Sequence, residues 1–207
     1  MNTSRPSRRA GEAASRCATT VREVSDLTVN AAELAAELLD SPPLARRWAH
    51  VQGVGQRATE LAVTVAPGDR DLLVAAAWLH DIGYAPDVVD TGLHSLDGAR
   101  YLRRHGYPPR LVALVAHHTC ARIEAAERGL AEQLAPFPFE EGPLMDALVT
   151  ADLTVGPRGQ RIEVAERIEE ILQRYPPQSP VHRAIQQAKP LLIAHTRRTL
   201  ERLDVGV

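Results

Sequence analysis

The chain has 207 residues, 44% of them apolar and 24% charged, with a formal net charge of −2. This is the profile of an ordinary globular domain with enough chain for a real core, and it carries no global basicity that would draw nucleic acid polymers or an anionic membrane. No stretch reaches the roughly 18 apolar residues of a membrane span. No apolar segment accompanies the N-terminal arginines as in a secretory signal, and two cysteines, Cys17 and Cys120, make no disulfide framework, so a reduced, cytoplasmic setting is expected.

Residues 1–25 are polar and aperiodic and are expected to form a disordered arm. From there to residue 207 almost every segment has helical periodicity. The stretch "NAAELAAELLD" is amphipathic, with Asn30 placed as an N-cap. "PPLARRWAHVQGVGQRATELAVTVA" opens on a proline pair and runs to Pro67-Gly68. "DRDLLVAAAWLHD" is apolar nearly all round, as a central buried helix is. "HSLDGARYLRRHG" stops at Gly106, and Pro108-Pro109 open "RLVALVAHHT". One amphipathic helix, "ARIEAAERGLAEQL", precedes a proline-rich loop. "LMDALVTADL" follows, then the glycine loop "TVGPRG" and the helix "QRIEVAERIEEILQRY", whose charges suit a solvated face. After "PPQSP" comes a last long helix, expected to bend at Pro190. No alternating β pattern and no repeat is present, so the expected fold is a single all-α helical bundle.

Several histidines and aspartates occupy positions where periodicity calls for an apolar residue. His80-Asp81 close the greasiest helix, and a buried ionisable pair is costly without a partner. His50 lies four residues before Val54, on the face of Val54, Ala58, Leu61 and Val65. Leu111, Leu114 and Val115 form a stripe whose next member is His118, with His117 about 100° to the side. Met145 and Leu148 lead to Asp152, whereas Asp146 falls off that face. His94 opens its helix on the side of Gly98. Imidazoles and carboxylates from separate helices thus converge on one interior point. Such a donor set suits a divalent transition metal, and the carbonyl end of a helix favours a cation. His105, His182 and His195 lack this pattern and are expected to be ordinary core or surface residues.

The ordered set His50, His80-Asp81, His94, His117-His118 and Asp152 resembles the HD-domain superfamily of metal-dependent phosphohydrolases over residues 44–155. "LHSLDGARYL", "HHT" and "TADL" resemble most the subgroup with extra histidines that includes HD-type diadenosine tetraphosphate hydrolases. A match to cyclic dinucleotide phosphodiesterases of the HD-GYP type fails, because "GYP" here (Gly106 to Pro108) precedes the paired histidines. The resemblance implies metal at His50, His80, Asp81 and Asp152, with Asp81 bridging to a second ion held by His94 and His118 or His117. It implies two ions such as Fe or Mn, and a small phosphorylated substrate attacked by metal-activated water, whose pKa falls from ~15.7 towards ~7. Asp81 and His117 stand as catalytic candidates, His117 as proton donor to the leaving group if it is not a ligand. Arg57, Arg158 and Arg161 are candidates for the substrate phosphate. Two other readings share this ligand set: an HD-fold di-iron oxygenase, and a regulatory module whose metal is structural.

Overall fold

A computed structural model of the protein describes residues 27–205; the N-terminal arm, 1–25, lies outside them. The described chain is helical throughout. Among the described residues the one β feature is an isolated bridge between Val155 and Arg161.

The helices are α1 (27–39), α2 (Ala45–Leu61), α3 (Arg70–Leu79), α4 (His94–Arg104), α5 (Pro109–His117), α6 (Ala121–Glu127), α7 (Ala131–Leu134), α8 (Pro143–Leu153), α9 (Val164–Arg174) and α10 (Pro180–Val205). Proline sits in the first turn of α5 and α8, where its missing N–H costs nothing. α3 and α8 form the centre. Leu73 to Ala77 and Leu79 of α3 are buried, and so is every residue of α8 from Leu144 to Leu153. Around them α2 packs on α3 and α8, α4 on α5, and α10 across α8, α6 and α9. Among the described residues no helix is long and apolar enough to cross a membrane.

The structure moves several element boundaries. Asn30 is inside α1 and not its cap, since the helix already runs from residue 27. The expected helix over 121–134 breaks at Gly129, whose φ of 69° is a left-handed turn that glycine adopts at little cost. α9 starts at Val164 because Arg161 is bridged to Val155 and the Ile162 N–H donates to the Thr154 carbonyl at 3.2 Å. α10 runs unbroken through Pro190.

Two glycines set the distances that matter for the site. A Cβ on Gly83 would lie 1.9 Å from the His94 carbonyl oxygen, so only glycine lets the turn after Asp81 rest against the start of α4. A Cβ on Gly53 would lie 2.8 Å from the Gly159 carbonyl, so α2 can accept the 155–159 loop. The segment before α4 is pinned by Asp97, whose buried carboxylate accepts from the N–H groups of Asp90, Thr91 and Gly92 at 3.0–3.1 Å. This is an anchored backbone concavity of the kind that a carboxylate fills, and it holds His94 in place.

Candidate metal centre

α3 ends at Leu79, and His80 and Asp81 follow at its carbonyl end. Packing fixes that helix end. Trp78 lies against Gly55, where a Cβ would meet its ring at 2.6 Å, and its ring sits 6.0 Å from that of Trp48. The six residues His50, His80, Asp81, His94, His118 and Asp152 come together from α2, α4, α8 and the ends of α3 and α5. They form two three-donor groups: His50, His80 and Asp152, and Asp81, His94 and His118. Within each group the ligand-type atoms lie within 4.8 Å of one another. Asp81 lies between the groups. Its Oδ1 is 3.4 Å from His94 Nε2, and its Oδ2 is 3.3 Å from His80 Nε2 and 3.8 Å from His50 Nε2.

The histidines are oriented by backbone. His80 Nδ1–H donates to the Ala77 carbonyl at 2.7 Å, and His118 Nδ1–H to the Val115 carbonyl at 2.7 Å. A neutral imidazole that donates from Nδ1 keeps its lone pair on Nε2, the arrangement found around metal-ligating histidines. His80 Nε2 is buried without a hydrogen-bond partner among the described residues, and it points at carboxylate oxygens. His50 faces acceptors on both sides, the Gly156 carbonyl at 3.2 Å and Asp152 Oδ1 at 3.0 Å. A neutral ring can donate to only one of them.

Charging the ring is not the remedy. Burial pushes the His50 pKa down despite the Asp152 hydrogen bond and charge. Burial also lowers His118, with His80 adding to it, and lowers His94 to about 3. Only His80 rises: burial opposes protonation there, but the Asp81 and Asp152 carboxylates outweigh it. Both aspartates stay ionised. Burial works against ionisation of Asp81, yet Arg47 and His80 hold its pKa well below the usual range. Asp152 is lowered likewise, chiefly by its hydrogen bond to His50. Neutral imidazole lone pairs facing buried carboxylates are a destabilising arrangement unless a cation lies among them. Four imidazole nitrogens and two carboxylates in that space fit divalent transition ions.

A strained turn completes the wall. Thr119 (φ 47°, ψ 42°) and Cys120 (φ 59°, ψ 34°) are both left-handed, at a cost of about 1–2 kcal/mol each for non-glycine residues. The turn comes directly after His118, and Thr119 Oγ1 donates to Asp152 Oδ2.

The structure brings together six of the residues singled out in the sequence and leaves four outside. His117, one residue from His118, faces the other way. Its Nε2–H donates to the Phe137 carbonyl at 2.8 Å, and it lines a different cavity. Its 100° offset on α5 carries it out of reach of the cluster, so it does not protonate a leaving group there. Arg57 is turned to Glu60 at 2.6 Å and Thr154 Oγ1 at 3.3 Å, and Arg161 to the same Glu60 at 2.7 Å. Arg158 is exposed on the loop. None of these three lines the space beside the cluster.

Other arginines do. A space of about 70 Å³ beside Asp81, His94, His118 and Asp152 is lined by Arg47, Arg167 and Arg174, together with Tyr84 and Tyr175. An adjoining space of about 150 Å³ at His50 shares the same three arginines. Arg47 donates to Asp81 Oδ2 and lies over the Tyr84 ring at 3.9 Å, and Tyr84 stacks on His94 at 4.3 Å. Arg47 precedes His50 by three residues, so the same helical phase that singles out His50 marks it too. Arg167 and Arg174 are seven apart on α9 and share a face, a signal masked by the many charges on that helix.

Residues 47–147 match the family model described as HD domain. The match takes in five of the six clustered residues, and Asp152 lies just past its end. Match and cluster together fit the HD superfamily, whose members are generally metal-dependent phosphohydrolases. No curated protein and no solved structure matches the chain.

Proposed function

We propose that the chain is a metal-dependent phosphohydrolase acting on a small nucleotide-like phosphoester or phosphoanhydride. The observation that carries this reading is the pair of donor triads with Asp81 between them, opening onto space walled by Arg47, Arg167 and Arg174. Bound divalent ions supply Lewis acidity and make water nucleophilic at neutral pH. The chain's own residues do the rest. His50, His80 and Asp152 hold one ion; Asp81, His94 and His118 hold the other. The carbonyls of Ala77 and Val115 keep His80 and His118 in the ligating tautomer. Thr119 restrains the Asp152 carboxylate. The arginines meet a phosphoryl group as planar donors, for which guanidinium is well suited.

The space at the cluster takes a phosphate-sized group, not a polymer, and the remainder of the substrate extends towards solvent past Arg174 and Tyr175. The sequence resemblance to diadenosine tetraphosphate hydrolases puts dinucleoside polyphosphates first among candidates. The deciding experiment is a screen of the purified protein over nucleotides, dinucleotides and generic phosphodiesters with Mn²⁺ or Fe²⁺, with metal content measured on the same sample. Metal-dependent release of phosphate or nucleotide supports the proposal. O₂-dependent substrate consumption without hydrolysis transfers it to oxygenase chemistry. A metal-loaded protein inert in both assays makes the module regulatory.

A further inference from the structure

A second cavity, of about 500 Å³, lies between α5, α6, α8 and α10. It shares no lining residue with the space at the histidine–aspartate cluster. The two are separated by one strained turn: His118 and Thr119 face the cluster, His117 and Cys120 the second cavity. Its volume is that of a small-molecule pocket.

Its chemistry is specific. Phe139, Met145 and Leu191 supply an apolar wall. Three guanidinium groups, Arg122, Arg198 and Arg202, face two carboxylates, Glu141 and Asp146, leaving one positive charge in excess. Asp146 is already saturated by Arg198, Arg202 and His195. Two buried polar atoms at the cavity have no partner among the described residues: Arg202 Nη1, a cationic donor, and His117 Nδ1. His117 is only 4% exposed. Because its Nε2–H is committed to the Phe137 carbonyl, Nδ1 carries the lone pair and is an acceptor. Buried polar groups left unpaired are destabilising, and a ligand that satisfies both removes that cost. Arg122, stacked over Phe139 at 4.2 Å, has no carboxylate partner among the described residues and adds an exposed cation at the rim.

We propose that this cavity is a second ligand site, for a small organic anion with an apolar, preferably aromatic, body and one N–H or O–H donor. The anionic group pairs with Arg202 and Arg122, the donor meets His117 Nδ1, and the body lies against Phe139, Met145 and Leu191. The arm outside the described residues does not suit the site: over residues 1–26 it carries five arginines against three acidic residues, the same sign as the cavity.

Anilinonaphthalene sulfonate has this combination of aromatic body, anionic group and amine N–H, and it reports binding by fluorescence. Titration of the full-length protein is expected to give one saturable site per chain. Arg122→Glu and Leu191→Glu change exposed side chains without disturbing the Asp146 ion pairs. Each is expected to weaken binding at least ~10-fold, since a like charge beside a bound anion is strongly unfavourable. Arg174→Glu, at the cluster, is expected to leave it unchanged. Non-saturable binding overturns the proposal, as does binding indifferent to Arg122→Glu and Leu191→Glu, or binding lost only in Arg174→Glu. None of these results bears on hydrolysis at the cluster, so the two proposals stand or fall separately.

Discussion

α8 buries two aspartates six residues apart, and they are treated in opposite ways. Asp146, on its first turn, is 1% exposed and is met by two guanidinium cations, Arg198 at 2.5 Å and Arg202 at 2.5 Å, and by the His195 ring at 2.6 Å. Asp152, on its last turn, is hydrogen-bonded to His50, whose pKa burial lowers, and lies 3.9 Å from His80, the one ring of the cluster whose pKa the carboxylates raise. One carboxylate is neutralised by the fold itself. The other has no arginine or lysine at ion-pair distance among the described residues. Burial alone therefore does not mark a functional aspartate; what marks it is burial among lone pairs.

The largest expected effect comes from breaking the unneutralised end. His80→Ala removes the buried, unpartnered Nε2 from one triad, and Asp81→Ala removes the carboxylate between the two. Each is expected to lose most bound metal and all measurable turnover while far-ultraviolet circular dichroism keeps the helical signal. Elemental analysis beside the activity assay checks this, and full metal content in both variants would sink the two-triad reading.

Next in size is the double change His94→Ala with His118→Ala. It leaves His50, His80 and Asp152 intact. Metal content is expected to fall from about two ions per chain to about one, and turnover by orders of magnitude, because one ion then carries the charge that two shared. Retention of two ions would place the second elsewhere.

At the neutralised end, Asp146→Asn should cost stability and spare metal content. Breaking a buried ion pair by removing one partner costs about 3–5 kcal/mol, and here Arg198 and Arg202 are 42% and 31% exposed, so about 2–3 kcal/mol is expected after solvent screening. The pH dependence has a definite sign. Burial raises the Asp146 pKa, but the hydrogen bonds from His195, Arg198 and Arg202 bring it below its ordinary value. A carboxyl lowered in the folded state stabilises above its unfolded pKa of about 3.9 and loses that contribution as pH falls through the folded value. The gap between wild type and Asp146→Asn in urea unfolding should therefore be widest at neutral pH and narrow below about pH 4. A gap independent of pH would mean that the carboxylate charge is not what the arginines need.

What the sequence reveals and what it hides divide along the same line. His50, His118 and Asp152 are legible because each falls on an apolar stripe, and His80-Asp81 because they close an apolar helix; both are local signals. His118 and His117 separate for the same reason: α5 holds its phase to His117, and the 100° offset puts the neighbours on opposite sides. The turn at Thr119 and Cys120 is not legible, since neither is a residue that favours left-handed backbone. Nor are the partners of Asp146, which lie 49 to 56 positions away on a helix whose charges look solvated. Asp97 is hidden in the same way, because its role is to hold a loop and not to fill a face.

The smallest effects, and the sharpest use of the comparison, concern two sets of arginines. Arg57 and Arg161 resemble Arg198 and Arg202 in already having a carboxylate, since both are paired to Glu60. Arg158 is exposed on its loop. Arg167 and Arg174 line the space at the cluster, and although both also reach Glu170, the Arg167 Nε is buried without a partner among the described residues. On the proposed function, a phosphoryl group there would give that N–H an acceptor. Arg174 is reached more easily and is the cleaner test. Arg174→Ala is expected to raise KM about 10-fold for a phosphorylated substrate, the worth of one charge-assisted contact, with kcat little changed. Arg158→Ala is expected to leave both constants within ~2-fold, as surface substitutions away from a site do. The reverse outcome, a large effect at Arg158 and none at Arg174, would place the substrate over the 155–159 loop and not against α9.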